Sequence, residues 1–307
     1  MLIYQWVQEK DEESLAMRLR REPELKLALM VEPEAVEGVW RAFGLPPQRA
    51  QDCMGGGATR FESDEGYDFM TISIPPLIGQ GQGFHRISIL YRPRLMVIVA
   101  QRLPVLEAMR KQHHAADAPE EELEGLLYRF FDRLTRQDIL SLEAMEQELA
   151  LLEESVMMGA KSDYLAKIVD LRNRVMTLKR YYVQLLRLCQ DMEENENGLI
   201  SGRQLKRFRI LTRRVERLLD TADSLRDYVS QVREAYQSQV DINLNNLMRI
   251  FTVVTAVFSP LTLIVGWYGM NLKMPESRWD LGYPMVILLS LAVCAVTVVL
   301  FKKKKWF

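Results

Sequence analysis

The sequence predicts an α+β membrane protein, with an N-terminal α/β domain, a long helical hairpin, a very long stalk helix and two membrane spans. Three observations predict this fold class. Residues 1–118 contain short stretches rich in Ile, Val, Phe and Tyr between Gly- and Pro-containing turns. Residues 119–246 carry apolar residues at helical spacing. Residues 247–271 and 283–301 contain apolar runs long enough to cross a bilayer.

The composition excludes several classes of protein. The 40 basic and 41 acidic residues nearly cancel, so charge gives no argument for a nucleic-acid partner. The three cysteines are scattered along the chain, which indicates a reducing compartment rather than a disulfide framework. The first residues lack a basic region followed by an apolar one, so we expect no signal peptide.

Residues 1–118 form the predicted α/β domain. The richest apolar and aromatic stretches predict strands, and the amphipathic stretches predict helices. Helices are expected at residues 12–21 and 33–43, and strands at residues 2–7, 69–74, 84–91 and 95–100.

Residues 119–198 predict an acidic antiparallel helical hairpin. One helix is expected from Pro119 to about Met158, and a second from residue 162 to residue 194. Eleven acidic side chains lie between Glu120 and Glu154, against three basic ones. This face is either simply solvated or a cytosolic surface that attracts cations.

Residues 199–246 predict a coiled-coil stalk helix. Apolar residues alternate at spacings of three and four from Phe208 to Tyr236, and no Gly or Pro interrupts the pattern before Pro260. We therefore expect one helix of about 68 residues that continues into the first span. Residues 203–217 carry seven bases and one acid, and the acidic hairpin could pair with them. Their apolar heptad positions favour a packed helix over RNA binding.

The first span, residues 247–271, contains an ordered polar stripe. Inside the apolar run the only charge is Arg249, close to its start. Such a stripe is typical of a helix–helix seam, but its position between an Asn and a polar mouth favours a pore lining. The stripe consists of Asn245, Met248, Thr252, Thr255, Ser259, Thr262 and Gly266.

The chain ends in a loop (residues 272–282), a second span (283–301) and a basic tail (302–307). The tail contains Lys302, Lys303, Lys304 and Lys305. Positive charge beside a span favours the cytosolic side, so we expect both termini in the cytosol and the loop outside.

Three C-terminal motifs together carry a family resemblance. Gly269, Met270 and Asn271 follow Tyr268 at the end of the first span, Met274-Pro275-Glu276 lies in the loop, and KKKKWF ends the chain. This arrangement resembles the CorA-type divalent-cation transporters. The likeness is tight over about the last 65 residues and rests on layout before them.

The resemblance implies a homopentameric funnel in the bacterial inner membrane that takes up Mg²⁺, with Co²⁺, Ni²⁺ or Zn²⁺ as further ions. It implies a selectivity filter of Gly269, Met270 and Asn271, with Glu276 in the external loop. It also implies that cytosolic Mg²⁺ bound between subunits closes the pore. Residues 203–217 are too basic for such a sensor, so Glu234 and Asp241 are the candidate regulatory acids. Met248 and Phe251 are the candidate apolar gate, and the tail lysines would ring the inner mouth.

Two alternatives stay open at this point. A zinc transporter of the same superfamily also contains GMN, although MPE and the absence of Cys and His from the stripe favour magnesium. A membrane-anchored structural coiled coil would need no polar stripe. An enzyme is not expected, because no nucleophile–base or metal-ligand constellation occurs. The sequence does not distinguish a channel from a proton-coupled carrier.

Overall fold

A computed structural model describes residues 2–6, 12–55, 59–76, 83–101, 106–107, 109, 122–136, 138–158, 163–270 and 281–303. The chain divides into two compact units. The first comprises Met1–Glu154 and Lys161–Arg233, and the second comprises Ser155–Ala160 and Glu234–Phe307.

The first unit is built on a six-stranded mixed sheet with the order β1-β2-β6-β5-β4-β3. Strands β1, β2 and β6 are parallel, and β6, β5, β4 and β3 are successively antiparallel. The bounds are β1 Leu2–Trp6, β2 Lys26–Val31, β3 Arg60–Asp64, β4 Tyr67–Ile74, β5 His85–Arg92 and β6 Leu95–Ala100.

The predicted strands β1, β4, β5 and β6 are confirmed, but β2 and β3 were not predicted. Strand β2 has the sequence KLALMV, and its last five residues are buried. Such a continuous apolar run is typical of a strand that is covered on both faces, because its residues do not alternate between apolar and polar. Strand β3, RFESD, is an edge strand whose polar residues give no strand signal.

Among the described residues, three helices and one 3₁₀ turn accompany the sheet: α1 Glu12–Arg21, the 3₁₀ turn Pro33–Ala35, α2 Val36–Phe43 and α3 Pro47–Met54. Leu15, Val39 and Trp40 from α1 and α2 pack with sheet residues in one hydrophobic cluster. Gly44 ends α2 with φ 60°, in the left-handed region that glycine tolerates best. Helix α3 was not predicted, although it begins with Pro at its first position.

A bundle of long helices completes the first unit. It contains α4 Leu123–Arg136, α5 Asp138–Met157, α6 Tyr164–Glu194 and the first half of α7 Gly202–Tyr268. Where one helix was predicted from Pro119 to Met158, the structure has α4 and α5; residues 119–121 and Gln137 lie outside the described residues. The predicted hairpin partner agrees with α6, and Asn195 ends it at φ 49°.

Ion pairs and one apolar seam hold the bundle together. Arg214 of α7 binds Asp132 of α4 at 2.7 Å, and Arg174 of α6 binds Glu148 of α5 at 2.8 Å. Burial alone would raise the pKa of Asp132, but the hydrogen bonds and charges of Arg214 and Arg136 together outweigh burial and lower it. The predicted α7 seam is buried at Phe208, Leu211, Val215, Leu218, Ala222, Leu225, Val229 and Val232.

The loop between α6 and α7 is fastened to the sheet through one side chain. The Nδ2 group of Asn197 donates to the carbonyl oxygens of Asp64 (2.7 Å) and Tyr67 (3.0 Å) and to Oδ1 of Asp68 (2.8 Å). These acceptors lie around the β3–β4 turn, so the turn and the loop share one anchor.

The second unit contains the rest of α7 and helix α8, Gly282–Lys303. The prediction of a single helix from about residue 201 through the first span is confirmed, because α7 has 67 residues and includes Pro260. Helix α8 agrees with the predicted second span. Of its described residues none is buried, and in α7 beyond Asp241 only Val253 is buried.

Candidate functional site

The candidate site is the polar stripe on the second half of α7. Six of its seven side chains are polar, small or hydroxylated, and the seventh, Met248, is 63% exposed. All seven stripe positions, from Asn245 to Gly266, are exposed. No other part of the described chain therefore covers this stripe along its length of about 30 Å.

Two stripe hydroxyls are already oriented. The Oγ1 group of Thr252 donates to the Met248 carbonyl oxygen at 2.7 Å, and that of Thr262 donates to the Phe258 carbonyl oxygen at 2.8 Å. Because the proton is used in this bond, the remaining lone pairs of each hydroxyl oxygen are available as acceptors. Acceptors are what the water shell of a hydrated cation requires.

The helix ends where the sequence motif begins. Tyr268 is the last helical residue, and the Gly269 N–H donates to the Val265 carbonyl oxygen at 2.8 Å. A Cβ at Gly269 would lie 2.8 Å from that same oxygen, so any other residue would force the backbone to shift. Glycine is therefore required by this close approach. Asn271, the predicted filter residue, lies outside the described residues.

An open depression lies beside the stripe at this end of α7. Leu263, Trp267 and Pro260 line it without having been predicted, and they follow the same 3–4 spacing one residue further along. That spacing is the signal that could have found them. The other lining residues are Ser259, Thr262, Gly266 and Met270.

Both C-terminal helices expose apolar surface that water does not favour. Helices α7 and α8 are each long and apolar enough to cross a membrane, and the apolar windows are 6% and 0% buried within the chain. Phe251 and Leu263 are 66% and 70% exposed. An apolar surface of this extent needs lipid or another protein surface against it.

The remaining predicted site residues are dispersed. Glu234 and Asp241 are exposed on α7, and Asp241 accepts a hydrogen bond from Gln237 at 3.3 Å. Lys302 and Lys303 are exposed at the end of α8, whereas Glu276, Lys304 and Lys305 lie outside the described residues. Within the described part of the chain, no three His, Cys, Asp or Glu side chains are grouped to hold a metal.

Comparison with known proteins matches most of the chain to one family. The profile described as CorA-like Mg²⁺ transporter protein matches residues 30–303. The cobalt/magnesium transport protein CorA of Thermotoga maritima is 26% identical over 285 residues, covering 89% of this chain and 80% of that protein.

Solved structures agree on the fold. The complete CorA magnesium transporter of Methanocaldococcus jannaschii has a TM-score of 0.80 at 19% identity, covering 91% of this chain and 90% of that one. The ZntB cytoplasmic domain of Vibrio parahaemolyticus has a TM-score of 0.60 at 15% identity, covering 69% and 86%. Identities this low speak for the fold alone.

The predicted α+β membrane fold, with its sheet domain, long helix and two apolar helices, is thus confirmed. Members of the matched family are membrane ion transporters rather than enzymes. Because the profile spans most of the sequence, the chain belongs to the CorA-like Mg²⁺ transporter family.

Proposed function

We propose that this protein takes up Mg²⁺ across the bacterial inner membrane, with Co²⁺ and Ni²⁺ as further substrates and both termini in the cytosol. The exposed polar stripe from Asn245 to Gly266 carries the proposal, because the other exposed residues of α7 between residues 247 and 268 are largely apolar. A polar stripe at membrane depth must face water or another protein. A hydrated cation pathway provides the water.

The pathway requires several copies of the chain. Two helices cannot enclose a pore, so the stripes of several α7 helices must face a common axis. We propose five copies, as the family resemblance implies. Native mass spectrometry in mild detergent is expected to show a closed ring, and a species no larger than a dimer would contradict the proposal.

Gly269, Met270 and Asn271 form the proposed selectivity filter. Mg²⁺ releases its water reluctantly and prefers oxygen ligands. An amide oxygen of Asn271 accepts hydrogen bonds from the water shell without the tight hold of a carboxylate. A ring of such amides therefore selects a hydrated divalent ion and still lets it pass.

The cytosolic half supplies the proposed gate and its control. Met248 and Phe251 form an apolar constriction, which excludes ions by keeping water out. Cytosolic Mg²⁺ at Glu234 and Asp241 of neighbouring copies stabilises the closed state. Lys302 to Lys305 ring the inner mouth.

The decisive experiment is ion flux into liposomes that contain the purified protein. Mg²⁺, Co²⁺, Ni²⁺ and Zn²⁺ are offered separately, with and without a pH gradient. We expect Mg²⁺ flux without any gradient. Zn²⁺ flux that depends on the pH gradient would identify a zinc carrier instead. If no ion is transported, the remaining alternative is a membrane-anchored structural coiled coil.

Asn271→Ala tests the filter within the same assay. Loss of the acceptor is expected to lower Mg²⁺ flux at least tenfold, about 1.4 kcal/mol or one modest hydrogen bond. Asn271→Asp is also expected to impair flux, because a carboxylate ring holds the ion too tightly or becomes partly protonated. Leu272→Ala is the control and is expected to matter little. A normally assembled Asn271→Ala protein with wild-type flux would refute the filter.

A further inference from the structure

Two carboxyl groups of the described chain are almost completely buried, and they differ in their hydrogen bonds. Asp68 on β4 is 2% exposed and accepts hydrogen bonds from the Asn197 Nδ2 group at 2.8 Å and from the Ser63 Oγ group at 2.7 Å. Asp138, the first residue of α5, is 1% exposed, and its Oδ2 atom has no hydrogen-bond partner among the described residues. A buried polar atom without a partner is rare in folded proteins, so Asp138 is the unusual one of the two.

The Asp138 carboxyl lies near two phenol groups of α6. The hydroxyl oxygens of Tyr181 and Tyr182 are buried, and they too have no hydrogen-bond partner within the described part of the chain. The two ring centroids are 5.2 Å apart. Burial and, after it, the charge of Asp138 raise the pKa of both phenols. Three polar groups with unused hydrogen-bonding capacity therefore lie together where α5 meets α6.

No cation of the described residues forms an ion pair with Asp138. The charged groups at the end of α4 bind other partners, because Asp132 is bound by Arg214 of α7 at 2.7 Å and by Arg136 at 2.8 Å. Cys189 of α6 is a further buried titratable group near the phenols, and burial raises its pKa to about 12. The titratable groups around Asp138 are therefore neutral near pH 7 and do not stabilise a negative charge there.

Apolar side chains continue the two helix faces on which these groups lie. Leu142 and Met145 follow Asp138 along α5 at spacings of four and three, and both are buried. Leu178 and Leu185 lie on either side of the second phenol of α6 at the same spacings, and both are buried. Such surroundings tolerate a neutral carboxyl, whereas an ionised carboxyl loses its water without gaining a charged partner.

We propose that Asp138 is a proton-controlled latch between α5 and α6. With its proton, the carboxyl stays between the helices beside Tyr181 and Tyr182. Without its proton, it moves into water and frees the first turn of α5. Such an opening is local, because the first four N–H groups of a helix have no partner within that helix and the first turn gives up few hydrogen bonds. The latch does not depend on which ion the protein transports.

The pH range of the latch follows from the two environments of the carboxyl. Between the helices, burial raises the pKa of Asp138 to about 7, and in water the pKa is 3.8. The preference for the closed form is therefore fully present below about pH 4. It falls by up to about tenfold for each pH unit between about pH 4 and pH 7, and it changes little at higher pH.

The test is hydrogen–deuterium exchange of the full-length protein in mild detergent at pH 5, pH 7 and pH 8, corrected for the intrinsic pH dependence of exchange. Peptides from residues 138–145 of α5 are compared with peptides from residues 208–218 in the buried seam of α7. In wild type, protection of the α5 peptides is expected to fall at least about tenfold from pH 5 to pH 7 and then to level off. It is also expected to stay at least about tenfold below that of the seam, because a local opening costs less than unfolding.

Three variants identify the group that titrates. Asp138→Asn cannot ionise, so protection of its α5 peptides is expected not to change with pH. Tyr182→Phe removes the hydroxyl that lowers the Asp138 pKa, so protection is expected to level off at a higher pH. Glu143→Gln removes an exposed carboxyl from the same helix and is the matched control, with wild-type behaviour expected.

Two outcomes would overturn the latch. The first is an Asp138→Asn protein that keeps the wild-type response to pH. The second is equal protection of the α5 and seam peptides at every pH in wild type, because Asp138 would then be exposed only by unfolding of the whole unit. This second comparison needs no variant, so it decides the question even if Asp138→Asn does not fold.

Discussion

The two halves of α7 use the same spacing for opposite purposes. From Phe208 to Val232 the alternation of three and four residues carries apolar side chains, and all eight seam residues are at most 3% exposed. From Asn245 to Gly266 the same alternation carries polar and small residues apart from Met248, and every one is exposed.

Spacing alone therefore does not decide what a helix face contacts. The apolar seam is covered by its own chain, where burial of a Leu side chain stabilises by about 1.5–3 kcal/mol. A polar stripe gains nothing from such burial and costs free energy unless its groups are hydrogen-bonded. Its partner must be water, ions or other copies.

A truncation in the buried seam of α7 is expected to change the protein most. Leu211→Ala removes a side chain that is fully buried, so we expect a loss of about 2–5 kcal/mol in the free energy of unfolding. Urea unfolding followed by circular dichroism measures it. The control is Leu140→Ala at a 66% exposed position, with an expected change below about 0.5 kcal/mol. Equal effects would mean that the seam does not support the bundle.

A buried carboxyl makes the bundle's stability depend on pH. Asp138 of α5 is 1% exposed, and its Oδ2 atom has no hydrogen-bond partner among the described residues. Burial raises its pKa to about 7, and the nearby Tyr182 hydroxyl offsets this only in part. In the unfolded chain the pKa returns to 3.8, so the folded state holds a proton that the unfolded state has lost.

The contribution of Asp138 to the free energy of unfolding is therefore fully present below about pH 4. It is lost as the pH rises to about 7, by at most about 4 kcal/mol. Asp138→Asn cannot lose a proton, so the slope from this group disappears. Unfolding of wild type and variant at pH 5 and pH 8 measures the difference. A variant with the wild-type slope would contradict this origin of the pH dependence.

The proposed gate allows a comparison of two aromatic side chains in the exposed second half of α7. If Phe251 closes the path with an apolar ring, Phe251→Ala admits water and raises flux severalfold at high internal Mg²⁺. Phe258→Ala, one heptad further along, removes a similarly exposed ring and is expected to leave flux unchanged. The liposome assay compares the two. Unchanged flux in an assembled Phe251→Ala protein would remove this residue from the gate.

Removal of a single hydroxyl from the polar stripe is expected to change flux least. Thr255→Ala removes one acceptor from the stripe while keeping the helix, so we expect flux to fall about twofold and stability to stay within about 0.5 kcal/mol. Thr297→Ala on α8 is the matched control, because its hydroxyl donates to the Val293 carbonyl at 2.8 Å outside the stripe. Equal flux in both variants would favour the helix–helix seam over the pore lining.

Much of the fold follows from local patterns. Helix α7 was predictable because nothing interrupts its heptads, and β4, β5 and β6 because their β-branched and aromatic residues lie between turns. Strand β2 was missed because a strand buried on both faces loses its period, and α3 because its polar residues gave no apolar face around the favourable Pro47.

Only those features of the candidate site that lie within one chain could be predicted from the sequence. The positions of Thr252 and Thr262 on an exposed face follow from spacing, and so does the end of the helix before Gly269. The distance between copies does not follow, because it depends on surfaces whose partners belong to other chains. Selectivity and gating depend on that distance and stay predictions.

Pro260 has a mechanical consequence for α7. Proline has no N–H, so the carbonyl oxygen of Ala256, four residues earlier, lacks the bond that every ordinary helical turn makes. Inside a bilayer no lipid replaces that bond, so the helix lacks one backbone hydrogen bond between Thr255 and the motif at its end. Flexural stiffness is lowest at such a point. The part of the span that follows Pro260 can therefore tilt relative to the part that precedes it.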